Sequence, residues 1–153
     1  MTNFIRAAAL SAVIAGALIS APVMALEHKA VIDHPAGDIA ADYAGSMRIE
    51  MRQAGSAGPG GRASSLRCNW SVSLIVERTA AIGSALQAKR SMERDNALKG
   101  SVPGWCSAAG NGIERTVAAK ADNLHATMMA MVAQDRSVIL VEAEGAALRR
   151  RKS

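Results

Sequence analysis

Between Arg67 and Arg78 the chain alternates so regularly that a strand with one buried face is the structure that fits it. Cys68, Trp70, Val72, Leu74 and Val76 fall on one side. Arg67, Asn69, Ser71, Ser73 and Glu77 fall on the other, and Ile75 alone breaks the pattern. Successive side chains of a strand point to opposite faces, so this pattern predicts one face on a core and one in water. Met47, Ile49 and Met51 repeat it against Arg48, Glu50 and Arg52. Between the two runs lies Ala54 to Ser65, rich in Gly, Ser and Pro, which buries little and reads as a long connection. The two runs are expected to pair antiparallel, with one shared apolar face.

A two-stranded ribbon is marginal in water and needs a further strand or a covering helix. From Ile113 to Ala133 the spacing supplies a helix, because Ile113, Val117, Ala121, Leu124, Met128 and Met131 recur at three and four residues. Its outer face holds Glu114, Arg115, Lys120, Asp122 and Gln134. Asp135 then suits the N-cap of a second helix over 136–149, with Val138, Val141, Gly145 and Leu148 sharing a face. The run Val138-Ile139-Leu140-Val141 would equally fit a short buried strand. Residues 79–99 fit helix and strand about equally poorly and lean to a third strand. Gly100, Pro103 and Gly104 mark a loop. Residues 26–42 are polar and aperiodic, with His28, His34, Pro35 and Gly37, and read as a flexible start. The expected fold is a single α+β domain over 43–148: a small antiparallel sheet of two or three strands packed against a C-terminal helical hairpin, with one disulfide.

The opening of the chain supplies an address. Arg6, the uncharged run Ala7 to Ala25 and the small-residue exit Val23-Met24-Ala25 form the pattern of a secretory signal peptide cut after Ala25. As an uncleaved anchor the run is weak, being Ala-rich and interrupted by Pro22. The expectation is a periplasmic or secreted protein with no transmembrane segment after cleavage. In such a compartment Cys68 and Cys106 are expected to bond, since oxidising surroundings preserve disulfides. A closure of this length is worth about 4 kcal/mol in the loop-entropy treatment. A redox-active pair would call for Cys-x-x-Cys, which is missing. Trp70 and Trp105 flank the two cysteines, which suggests indoles packed beside the bridge.

The net charge of +5 is concentrated at the ends. Arg149, Arg150, Arg151 and Lys152 form a basic tail over 149–153, and once they and Arg6 are set aside the body from Leu26 to Leu148 is formally neutral. Nucleic-acid binding needs cations arrayed on the fold, so no nucleic-acid partner is expected. The tail suits an anionic surface instead. The loop 54–65, carrying Arg62, suits contact with another envelope protein.

Catalytic sets are sparse. His125 is the one histidine between Tyr43 and Ser153, no Gly-x-Ser-x-Gly occurs, and Gly55 to Gly61 lacks the Gly-Lys-Ser/Thr ending of a phosphate loop. No cofactor is expected. The leading expectation is a non-enzymatic exported binding protein. A copper-handling module is the first alternative, because His125, Met128 and Met129 lie three and four residues apart and offer soft ligands for Cu(I). A hydrolase with an unrecognised site is the second.

Overall fold

A computed structural model describes residues 26–60, 64–82 and 86–152; the expected signal segment 1–25 and Arg62 lie outside the described residues. Four strands follow one another as a meander: β1 (Leu26–Ile32), β2 (Ile39–Ala54), β3 (Arg67–Ile82) and β4 (Leu86–Pro103). Each pairs antiparallel with the next, in the spatial order β1-β2-β3-β4. Among the described residues two helices follow, α1 (Cys106–Ala118) and α2 (Ala121–Lys152). The class is α+β, as expected, but the sheet has four strands rather than two or three.

The two long alternating runs became β2 and β3, in unbroken register from Ile39↔Ile82 to Ala54↔Arg67. Cys68, Trp70, Val72, Leu74 and Val76 are all buried on the face that meets the helices. On the solvent face the charges of neighbouring strands pair, as in Arg48 with Glu93 (2.6 Å) and Lys29 with Asp42 (3.6 Å). The β3 to β4 ladder is regular except beside Val72 and Leu74, where β4 bulges. Asn96 within the bulge takes φ 53°, a left-handed conformation that asparagine tolerates better than most residues. Ser73 donates to Asp95 there (3.1 Å).

Four expectations are corrected. Residues 26–42 carry β1 and the start of β2 in place of a flexible start, because Leu26, Ala30 and Ile32 alternate with Glu27, Lys29 and Val31 and the inward set joins the core. Gly100 lies within β4 and not in a loop: the Trp70 indole crosses it so closely that a Cβ there would stand 2.5 Å from the ring. The helix expected over 113–133 is divided at Ala119-Lys120, although its stripe of Ile113, Val117, Leu124, Met128 and Met131 is buried throughout. The second helix does not start at Asp135; α2 runs through that residue and on to Lys152, so the basic tail is helical. Its buried residues beyond Met131 are Val132, Asp135, Ile139, Ala143 and Ala146. Val141 (69% exposed) and Leu148 (56%) are left in solvent.

α1 packs on β2 and β3, and α2 on β3 and β4. The core residues all fall between Leu26 and Ala146. Among the described residues no helix is long and apolar enough to cross a membrane.

Candidate functional site

Two clusters join the helices to the sheet, one near each end. At the β3 entrance Cys68 and Cys106 form the expected disulfide, with Cα atoms 4.9 Å apart. It ties the first turn of α1 to the buried face of β3. The N-cap of α1, Trp105, supplies no side-chain bond to the helix, so the exposed N–H groups of the first turn need another acceptor. Gln53 provides it: its Oε1 accepts from the Cys106 amide (2.8 Å), while its Nε2 donates to the carbonyls of Arg67 (3.0 Å) and Gly104 (3.2 Å). One side chain thus links β2, β3, the end of β4 and α1. Trp70 is buried close to the bridge in sequence, whereas Trp105 stands 56% exposed, so the expected indole pair is divided between core and solvent.

The second cluster is ionic, buried and farther along the sheet. Arg78 continues the inward series of β3 two residues beyond Val76, and Asp135 continues the inward series of α2 four residues beyond Met131. Arg78 Nη1 donates to Asp135 Oδ2 (3.0 Å), and Arg78 Nη2 donates to Glu142 Oε2 (2.5 Å). The Tyr43 hydroxyl donates to the same Asp135 Oδ2 (3.2 Å), and Arg90 Nη1 stands 3.4 Å from Oδ1. β2, β3 and β4 each contribute one residue and α2 contributes two. Arg78 and Asp135 have no exposed side-chain surface, while Glu142 and Arg90 reach solvent.

Burial pushes the Tyr43 hydroxyl up to about 12, helped by the charge of Asp135 and by the bond donated to it, and opposed by Arg78. A tyrosine so raised stays protonated near neutrality, and arginine stays charged. Two cations and two carboxylates balance. The cluster holds its charges in place between the sheet and α2. Two of its atoms, Arg78 Nε and Asp135 Oδ1, make no hydrogen bond. Beside them a groove of about 300 Å³ opens between β4 and α2, lined by Arg90, Met92, Met131, Gln134, Asp135 and Val138.

The sequence-derived candidates are scattered. His125 is exposed and Met129 half-buried, but Met128 is fully buried, its sulfur against the Gly45 backbone, so the three do not converge on one face. Among the described residues no group of three or more His, Cys, Asp and Glu side chains is placed to hold a metal ion. The loop after β2 is closed at its base by Ser65 N–H donating to the Ser56 carbonyl (3.1 Å) and Ser56 N–H donating to Ser65 Oγ (3.1 Å). Arg149, Arg150, Arg151 and Lys152 form the last turn of α2. Next to them a mostly apolar groove of about 500 Å³ lies between the β1–β2 turn and the helix, lined by Pro35, Ala36, Leu140, Ala147, Leu148 and Arg151, with His34, Asp33 and Glu144 at its sides.

The ionic cluster was missed in the sequence, although both strides that reach it were visible: two residues on from Val76 and four on from Met131. No protein family, curated protein or solved structure matches the chain.

Proposed function

We propose that the protein is exported and acts without catalysis, binding an anionic surface of the cell envelope through the last turns of α2. The Arg6 to Ala25 pattern supports export, and a disulfide is compatible with an oxidising compartment. The observation that carries the binding reading is a coincidence at one end of the molecule. Four successive cations close α2 where Val141 and Leu148 are exposed and where the 500 Å³ apolar groove opens. Cations near an anionic bilayer are worth about 1 kcal/mol each and bind weakly without apolar anchorage. Here apolar side chains and an open groove adjoin the charges.

Flotation with vesicles tests this. The protein is expected to float with phosphatidylglycerol vesicles, to stay behind with phosphatidylcholine, and to be released by salt. Replacing Arg149, Arg150, Arg151 and Lys152 by Gln should abolish flotation with the fold intact. Equal behaviour toward the two lipids would overturn the reading.

The other end of the molecule favours the second reading, contact with an envelope protein through the 54–65 loop. Trp105 and Met51 (45% exposed) offer apolar surface there. Deleting the loop tip should leave folding unchanged and remove any partner captured through that end.

A further inference from the structure

The groove of about 500 Å³ beside the last turns of α2 has two walls of different make. One is a helix face, on which Leu140, Glu144, Ala147 and Arg151 recur at four, three and four residues with Leu148 beside them. The other is the β1–β2 turn, and its backbone is fixed. The Gly37 N–H donates to the His34 carbonyl (2.9 Å), the Ala36 N–H donates to His34 Nδ1 (3.2 Å), and Gly37 takes φ 115°, where a side chain would be strained. The groove is therefore formed before anything enters it, and its size falls within the range of about 300–1,000 Å³ usual for small-molecule sites.

The charges around the groove select the occupant. Arg151 is the one lysine or arginine in the lining, and among the described residues it makes no ion pair. Arg149, Arg150 and Lys152 share its turn, and four cations there outweigh the partial negative charge of the helix C-terminus. Asp33 and Glu144 stand at the sides and neither pairs with Arg151. Glu144 lies seven residues before Arg151, about 10 Å along the axis. The carboxylates keep an anion out of the body of the groove and leave the Arg151 end as its seat. Pro35, Ala36, Leu140 and Ala147 offer the remainder of an occupant apolar contact. An apolar channel with a cationic end fits a molecule with an apolar chain and an anionic head.

We propose that the groove holds the acyl chain of one anionic lipid, with its head group at Arg151. The proposal deepens the surface reading and rests on it for the source of the ligand: the bilayer supplies the lipid, and the groove takes a single chain from it.

Alkyl phosphates below their micelle-forming concentrations are the probe, titrated by calorimetry into the chain that begins at Leu26, which contains every described core residue. One equivalent of dodecyl phosphate is expected to bind, and glycerol phosphate, a head without a chain, is not. Affinity should rise by up to about fourfold per methylene from octyl phosphate upward and level off once the groove is filled. Dodecyl glucoside, the same chain on an uncharged head, should bind about tenfold more weakly. Arg151→Gln should erase that preference. Ala36→Trp and Ala147→Trp fill the groove from its two walls and should each remove dodecyl phosphate binding; Ala36 is exposed, so its variant is expected to fold, as circular dichroism checks. Binding that ignores chain length, or that survives in the folded Ala36→Trp variant, overturns the proposal. Vesicle flotation of the wild type separates the two readings. A chain that floats with phosphatidylglycerol but takes up dodecyl phosphate no better than glycerol phosphate overturns the groove and leaves the surface reading. Uptake of dodecyl phosphate without flotation supports the groove and overturns the surface reading alone.

Discussion

The helices are fastened to the sheet in two chemically unlike ways. At the β3 entrance the fastening is covalent and surrounded by backbone bonds: Cys68 to Cys106, with Gln53 spanning three strands and the start of α1. Toward the other end it is ionic and dry, with Arg78 and Asp135 sealed between sheet and α2. A disulfide acts chiefly on the unfolded chain, whose freedom it limits, and leaves the native packing free to adjust. A buried ion pair acts on the native state, where desolvation offsets much of its attraction, so its main effect is to penalise any arrangement that leaves one partner alone. The first fastening limits where the chain can go; the second fixes which face of α2 meets the sheet.

That contrast is broken hardest at Arg78. Arg78→Met strands Asp135 in the core and is expected to cost about 3–5 kcal/mol in urea unfolding, whereas Arg78→Met with Asp135→Leu should recover most of the loss. If the double variant were as unstable as the single one, the pair would be contributing net stability and not simply specifying register. Removing the disulfide by Cys68→Ala with Cys106→Ala should cost about 2–4 kcal/mol, and reductant should shift the wild type, but not this variant, by a similar amount.

Alkali sharpens the comparison further. Tyr43 in the folded protein titrates near 12, above its ordinary value of 10.0, so the folded state keeps a proton that the unfolded state releases. Its contribution is fully present below pH 10 and is lost as pH rises toward 12, on the order of 2 kcal/mol. Tyr43→Phe should flatten that part of the stability curve, while the Cys-free variant should retain it. The smallest effect is at Gln53: Gln53→Ala removes the acceptor for the Cys106 amide and should cost about 1 kcal/mol.

The same physics explains what could be seen in the sequence. β3 was legible because it is interior to the sheet and covered on one face, so burial and exposure alternate residue by residue. β4 was legible only as a lean toward strand over 79–99, because as an edge strand most of its residues meet water and its inward positions include Arg90 and Arg94 beside Met92. β1 was obscured by His28 among its inward residues and by Val31, 71% exposed, among its outward ones. The stripe of Ile113 to Met131 was visible because it is made of large apolar side chains. Past Val132 the buried stripe keeps one large apolar side chain, Ile139, among Asp135, Ala143 and Ala146, while Val141 and Leu148 sit outside. Hydrophobicity alone therefore favoured the wrong face. Asp135 resembles a cap locally, and the cation that keeps it buried lies 57 residues away.

Hydrogen exchange on the wild type, oxidised and reduced, tests most directly whether the two fastenings act independently. The account predicts that reduction lowers protection first in α1 and at the adjoining ends of β3 and β4, while α2 from Asp135 to Ala146 and the strands around Tyr43 and Arg78 keep theirs. Simultaneous loss at both ends, or earlier loss around Asp135, would contradict it.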